Sequence, residues 1–379
     1  MKELSESRIL IVDDVSANVD VLVQALRGDY QLSVAIDGAT GIRTAEKLLP
    51  DLVLLDIIMP GIDGYEVCRR LRASPRTREI PVMFLSSLEE VQDKTKGFEV
   101  GGNDYLVKPF AILEVKARVR SLLRAKAYVD GVKEQIAHEL RIAREIQMGI
   151  LPPDVSTVTD GTGLEAHAIL HPAQEVGGDL YELLPMPDGN LVAVMGDVSG
   201  KGIPAALFMA VTMTLVRAMA PESRRPEEIL RRVSDALATH NPHTMFVTLL
   251  CAIYDVRTGR LDYASAGHPP PVLIREGGAE YLPLKPGMIA GIMTGPPAPS
   301  QSVQLQPNDL VVFYTDGVTE ALDAAGNLYG ESRLLEELAG HSDHTAAATT
   351  DALLHSVRAH AGDQPQSDDI TLLTLKRKQ

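Results

Sequence analysis

Four short apolar runs, at residues 9–12, 52–55, 82–85 and 106–107, punctuate the first third of the chain. Amphipathic stretches near 17–26, 39–48, 64–73 and 90–100 alternate with them. A strand without polar alternation is buried on both faces, which requires a parallel sheet covered by helices on each side. Residues up to about 125 therefore predict a doubly wound α/β domain. Beyond about 165 the texture changes. Candidate strands at 191–195, 247–254, 260–264, 271–274, 310–314 and 370–375 are separated by Gly and Pro turns. Helical patterns interrupt them near 203–219, 226–239, 331–339 and 345–360. Strand runs with inserted helices predict an α+β sandwich rather than a second parallel sheet. Residues 283–299, rich in Gly, Pro and Met, read as a loop or flap.

From Phe110 to Leu151 the only helix breakers are Gly131 and Gly149, and Pro152-Pro153 ends the stretch. Val129, Val132, Ile136, Ala143, Ile146 and Ile150 recur at near-heptad spacing, with Glu139 in the slot between. Two readings stay open: an amphipathic helix packed on one domain, or a connector that pairs across a homodimer as a short coiled coil. The expected organisation is a first domain over 1–125, a helical linker over 126–152 and a second domain over 153–379.

The 379 residues suffice for two or three domains with real cores. A net charge of −15 argues against nucleic acid as a partner, since phosphate backbones are bound through an excess of Lys and Arg. Cys68 and Cys251 stand far apart with no metal-ligand spacing. The start carries no signal-peptide pattern, and no apolar run approaches membrane-spanning length, so a cytoplasmic chain without a membrane partner is expected.

In doubly wound sheets, ligands bind beyond the carboxyl ends of the strands. Asp13-Asp14, Asp56, Ser86 and Lys108 all fall there. Asp56 as a nucleophile toward a phosphoryl group needs its charge neutralised. Asp13 and Asp14, with a backbone carbonyl such as that of Ile58, can hold a Mg²⁺ that does so. Lys108 supplies a second cation, and the Ser86 hydroxyl can bond a phosphate oxygen. The strings Ile-Leu-Ile-Val-Asp-Asp, Asp-Ile-Ile-Met-Pro-Gly-Ile-Asp-Gly-Tyr-Glu, Leu-Ser-Ser and Asp-Tyr-Leu-Val-Lys-Pro-Phe resemble the response-regulator receiver domain over about 120 residues. The resemblance implies a five-stranded sheet, phosphorylation of Asp56 by a sensor histidine kinase, Tyr105 as a switch aromatic, and a cis Lys108-Pro109 bond.

A second set of acids lies after residue 165: Gly177-Gly178-Asp179, Gly196-Asp197-Val198-Ser199-Gly200-Lys201-Gly202, Thr315-Asp316-Gly317 and Asp368-Asp369-Ile370-Thr371. The lysine string lacks the spacing of a Walker loop. Four converging carboxylates repel one another, and two divalent cations relieve that repulsion while supporting in-line attack on a phosphomonoester. Oxygen ligands favour Mg²⁺ or Mn²⁺ over zinc. These strings, with Ala-Gly-His-Pro-Pro-Pro at 266–271, resemble the metal-dependent protein phosphatases (PPM, or protein phosphatase 2C-like), and more closely the SpoIIE/RsbU subgroup. Ala143-Arg144-Glu145-Ile146-Gln147 with Leu151-Pro152-Pro153 resembles that subgroup's helical lead-in. The resemblance implies that Asp197 bridges two metals. Asp179 and the Val198 carbonyl complete one site; Asp316 and Asp368 complete the other, with the adjacent Asp369 as the alternative ligand. His268 is expected to serve its Pro-rich turn rather than catalysis. Met195, Met209, Met213 and Met219 read as core filling.

Together these readings describe a two-component output protein: a receiver controlling a serine/threonine phosphatase. The resemblance implies a phosphorylated STAS-domain anti-sigma-factor antagonist as substrate, acting in partner switching. The competing reading is a catalytically inactive phosphatase-fold adaptor that binds a sigma factor or anti-sigma component. Loss of the metal carboxylates would mark the adaptor, and all of them are present. One kinetic prediction follows from Ile58 and Leu88, which stand two residues past Asp56 and Ser86 and are both bulky and apolar. Flanking the phosphate, they would hinder an attacking water, so the phospho-Asp is expected to hydrolyse slowly; a half-life of seconds at room temperature, read from autodephosphorylation, overturns this.

Overall fold

The computed structural model describes residues 4–87, 91–239, 241–285, 287–295 and 299–378, with only the backbone at 91–94. The chain divides into two compact units at His138/Glu139.

The first unit is β1 (Arg8–Val12), α1 (Ser16–Leu26), β2 (Gln31–Ala35), α2 (Gly38–Leu48), β3 (Leu52–Asp56), α3 (Gly64–Ala73), β4 (Val82–Ser86), α4 (Val91–Glu99), β5 (Asp104–Val107) and the first part of α5 (Ile112–Ile150). Its sheet has five parallel strands in the order β2-β1-β3-β4-β5. Successive strand side chains point to opposite faces. Leu10, Val12, Val53, Leu55 and Phe84 thus pack with Tyr65, Val67 and Leu71 of α3 on one face. Ile9, Ile11, Leu54 and Leu85 pack with Leu22 and Leu26 of α1 and Val115 and Val119 of α5 on the other. The apolar runs are continuous because both faces are core.

Helix α5 is 39 residues long, or about 58 Å at 1.5 Å per residue. Its early residues belong to the core of the first unit, and Ile150 at its end packs on the core of the second. Between them Val129, Val132, Ile136 and Ile146 of the heptad-like seam are exposed. Of the other seam positions, Ala143 is half-buried and Ile150 is engaged with the core of the second unit.

The second unit continues with β6 (Leu164–His171), β7 (Leu180–Pro185), β8 (Leu191–Val198), α6 (Ile203–Met219), α7 (Pro226–Thr239), β9 (Val247–Asp255), β10 (Arg260–Ala266), β11 (Val272–Arg275), β12 (Gly278–Tyr281), β13 (Gln301–Gln304), β14 (Leu310–Tyr314), α8 (Glu331–Leu338), α9 (Ala346–Ala361) and β15 (Ile370–Arg377). Two antiparallel sheets form, in the orders β13-β10-β9-β8-β7 and β12-β11-β14-β15-β6. Val311, Phe313, Leu373 and Leu375 face the first sheet. Their neighbours Leu310, Val312, Tyr314 and Leu372 face Leu334 of α8 and Leu353 and Val357 of α9. Helices α6 and α7 cover the outer face of the first sheet, giving an α/β/β/α sandwich.

Two expectations need amendment. Segment Ile203–Glu222 is long and apolar enough, by length and composition, to cross a membrane, contrary to the sequence reading. Its apolarity has a packing origin on one side: Ala205, Met209, Met213 and Val216 are buried against the sheet. In addition, β2, β6, β7, β12 and β13 were not foreseen as strands. Each lies at a sheet edge.

Candidate functional sites at the strand ends

In the first unit, Asp13 follows β1 and Asp56 ends β3, and both are buried, whereas Asp14 is exposed. One carboxylate oxygen from each of Asp13, Asp14 and Asp56 lies within 4.8 Å of the others. Lys108, just after β5, places its Nζ 2.8 Å from Asp13 and 2.9 Å from Asp56. Asp13 also accepts hydrogen bonds from the Val15 amide (2.9 Å) and Asn18 Nδ2 (3.1 Å). Three carboxylates against one ammonium leave uncompensated negative charge, so the donor set fits a hard divalent cation. Burial pushes the Asp56 carboxyl above the usual range, against the pull of Lys108. The Lys108-Pro109 bond is cis, and the Lys108 amide donates to the Ser86 carbonyl at 2.7 Å. Ser86 and Tyr105 are buried. Ile58 is 56% exposed; Leu88 lies outside the described residues.

In the second unit, both sheets contribute acids at one end. Asp179 immediately precedes β7, and Asp197 is the penultimate residue of β8. Asp316 lies two residues past β14, and Asp368 two before β15. Asp179 is 2% exposed, and its Oδ2 accepts hydrogen bonds from the Thr315 hydroxyl (2.7 Å) and the Thr371 hydroxyl (2.5 Å). Burial, then Asp197 and Asp369, pushes the Asp179 carboxyl well above its ordinary value. Asp197 is pushed up to about 7 by burial and by Asp316. Asp316 is raised by burial, Glu320 and Asp368. Asp179, Asp197 and Asp316 thus crowd negative charge that divalent cations on oxygen ligands would relieve. Among the described residues, no three acids of this set bring carboxylate oxygens within 4.8 Å of one another, as the first unit's trio does.

Asp369 and Asp368 do different things. The Asp369 carboxylate accepts from the backbone amides of Ala173 (2.8 Å), Gly178 (2.8 Å) and Asp179 (3.4 Å). It latches the loop before β7. Asp368 instead pairs with Lys201 at 3.0 Å. Close approach explains the double glycine. A Cβ on Gly177 would meet the Asp369 carboxylate at 1.9 Å, and one on Gly178 the Val198 carbonyl at 2.8 Å.

Thr315, Thr371, Lys201 and Gln147, which sit in the quoted strings, and Glu320, which follows one of them, carry no role in the sequence reading. Gln147, buried near the end of α5, binds both polar groups of one residue: its Nε2 donates to the Gly177 carbonyl (2.6 Å), and its Oε1 accepts from the Gly177 amide (3.2 Å). Its burial, at 5% exposure, is visible only in the structure; in the sequence it is one polar residue among many on this helix.

The fold and its two acidic sites define a receiver domain followed by a PP2C-like phosphatase domain. Family models agree: the response regulator receiver domain matches residues 9–120, and stage II sporulation protein E (SpoIIE) matches residues 187–378. The latter spans half of the chain, and the chain belongs to the SpoIIE family. Response regulator PleD of Caulobacter vibrioides is 43% identical over 137 residues, 36% of this chain and 30% of that protein. Protein IcfG of Synechocystis is 27% identical over 294 residues, 70% of this chain and 45% of that protein. The chain thus spans less than half the length of these relatives. The SiaA-PP2C domain of Pseudomonas aeruginosa superposes with a TM-score of 0.58 at 24% identity, covering 65% of this chain and 98% of that one, a likeness of fold. Metal dependence is a general property of both domain classes.

The raised carboxyl groups set a pH dependence. A folded-state pKa above the unfolded value contributes stability that is complete below about 3.8 and is lost as pH rises through the folded value. In chelator, the phosphatase domain is therefore expected to melt lower at pH 8 than at pH 5, by roughly 5 °C or more. Added Mn²⁺ should restore it at pH 8. Scanning calorimetry checks this; a chelated melting temperature that rises with pH contradicts the assignment.

Proposed function

We propose that this chain is a response regulator in which phosphorylation of Asp56 by a sensor histidine kinase controls a metal-dependent serine/threonine protein phosphatase. The organisation we adopt is a receiver over 1–125, a helical linker over 126–152 and a phosphatase over 153–379. Asp13, Asp14, Asp56 and the Ile58 carbonyl would hold Mg²⁺ in the receiver. Asp179, Asp197, the Val198 carbonyl, Asp316 and Asp368 would hold two Mn²⁺ or Mg²⁺ ions in the phosphatase. Those cations would supply the positive charge that in-line attack on a phosphomonoester requires. The observation that carries this reading is the drawing together of four aspartates from four strand ends of two sheets, each raised or paired by its neighbours. The amide latch of Asp369 favours Asp368 as the ligand, because Asp369 is already engaged with three backbone donors.

The chain's own residues divide the work. Lys108 steadies Asp13 and Asp56, and Ser86 would bond the transferred phosphate. Tyr105 is proposed as the switch aromatic. Gln147 grips the Gly177 peptide two residues before Asp179, so a displacement of α5 reaches a site acid through one backbone unit. We infer that phosphorylation favours a state in which the exposed α5 seams of two copies pair. The substrate is proposed to be a phosphoserine or phosphothreonine STAS-domain anti-sigma-factor antagonist, acted on in the cytoplasm in partner switching.

A macromolecular substrate reaching Asp197 must also cover the start of α6. There an open groove of about 720 Å³ is lined by Ser199, Lys201, Ile203, Leu207, Phe208 and Val211. Leu207→Asp is expected to raise KM for the phosphoprotein about 10-fold or more, with hydrolysis of an aryl phosphate unchanged. Equal kinetics on both substrates would remove the groove from substrate recognition.

The function itself is tested by Mn²⁺-dependent hydrolysis of a phosphoserine STAS-domain protein and of an aryl phosphate, with and without beryllofluoride. Asp197→Asn should lower activity by roughly 100-fold or more, and the beryllofluoride response gives the sign of control. A parent inactive under all these conditions would leave the adaptor reading in its place.

A further inference from the structure

The two sheets each carry site acids at one end, and like charge pushes those ends apart. Something must hold the spacing. The bonds that the Thr315 and Thr371 hydroxyls donate to the Asp179 carboxylate are one tie. A second tie lies deeper, where the chain crosses from β10 in one sheet to β11 in the other.

His268 sits in that crossing and is 4% exposed. Its Nδ1 lies 2.9 Å from the Thr248 hydroxyl, and its Nε2 lies 3.1 Å from the Tyr314 carbonyl. A carbonyl only accepts, so Nε2 carries the proton; Nδ1 then accepts from the Thr248 hydroxyl, whose other acceptor, the Asp197 carbonyl, is farther away at 3.4 Å. One neutral tautomer thus satisfies both ring nitrogens. Thr248 is the register partner of Asp197 across β8 and β9. Tyr314 ends β14, two residues before Asp316. The residue between them, Thr315, is the one that grips Asp179.

The imidazole is held from behind. The His268 amide donates to the Ser265 hydroxyl oxygen (2.9 Å), and that hydroxyl donates to the His268 carbonyl (2.8 Å). Gly267 turns the chain at φ +77°, where a Cβ would strike Ile289 at 2.4 Å. Burial pushes the imidazole down to about 3, so it stays neutral through the physiological range.

We propose that His268 is a positioning residue: a neutral clamp between Thr248 and Tyr314 that sets the distance between the Asp197 strand and the Asp316 strand, and so tunes cation affinity at the phosphatase site. The proposal rests on the phosphatase reading above. Neither the turn alone nor the Pro-rich string requires a side chain that bonds both sheets.

The test uses the full chain in an Asp13→Asn, Asp14→Asn background, so that Mn²⁺ binding reports the phosphatase domain. Thr248→Val removes the Nδ1 partner, and with it the longer hydroxyl contact to the Asp197 carbonyl, with little change of shape, whereas His268→Ala removes the clamp and leaves that contact in place. Each is expected to weaken Mn²⁺ binding, read by electron paramagnetic resonance, about 10-fold. Each should lower kcat on an aryl phosphate with KM nearly unchanged, and the double variant should be no worse than His268→Ala. Nitrogen-15 NMR of the imidazole should show the Nε2–H tautomer in the parent. Folded Thr248→Val with Mn²⁺ affinity within twofold of the parent overturns the clamp alone. A parent that neither binds Mn²⁺ there nor hydrolyses either substrate overturns the phosphatase reading and the clamp with it.

Discussion

The second unit is organised around an unfavourable interaction, the mutual repulsion of acids at the ends of two sheets. Asp179 carries the greatest burial of that set, and it is tolerable because two threonine hydroxyls from the opposite sheet donate to it. Those same donors bind the sheets together where repulsion would part them. Thr315 and Thr371 also bond each other through the Thr371 amide at 3.1 Å, so the tie is a small network rather than a single contact. The backbone around it is built to match. Glycines let the loop before β7 lie against Asp369 and Val198, and Asp369 spends its carboxylate on that loop's amides.

The first unit solves a related problem with a different device. Its trio of acids sits on one edge of a parallel sheet, and a single lysine bridges two of them. Lys108 approaches from the end of β5, two strands away from β3, so charge balance there depends on sheet order, β1 and β3 adjacent and β5 beyond β4. In the sandwich, charge is balanced across layers. Both sites use strand ends, where backbone geometry is rigid and side chains project into open space.

Much of this was legible in the sequence, and the parts that were not share a cause. Interior strands announce themselves, because a strand covered on both faces reads as an unbroken apolar run; β3 and β14 are buried along their whole length. Edge strands such as β2, with its Gln31-Leu32-Ser33-Val34-Ala35 pattern, are half solvated and carry no such run. The acids were legible because carboxylates after strands are chemically pointed. Their supports were not. A glutamine on a helix, a lysine in a glycine loop and two threonines give no sign in one dimension that they converge on one place. Asp368 and Asp369 are adjacent and identical, and their division of labour emerges only when the loop amides are seen facing Asp369.

Helix α5 adds a constraint of another kind. Within the second unit its last turns leave Ile142 and Ile146 in solvent and set Gln147 against Gly177. In a helix each residue advances the face by about 100° and 1.5 Å. The buried amide therefore keeps its aim toward Gly177 through the number of residues in these turns, while the exposed side chains beside it are free to vary in kind. Spacing, more than composition, is what the loop before β7 depends on.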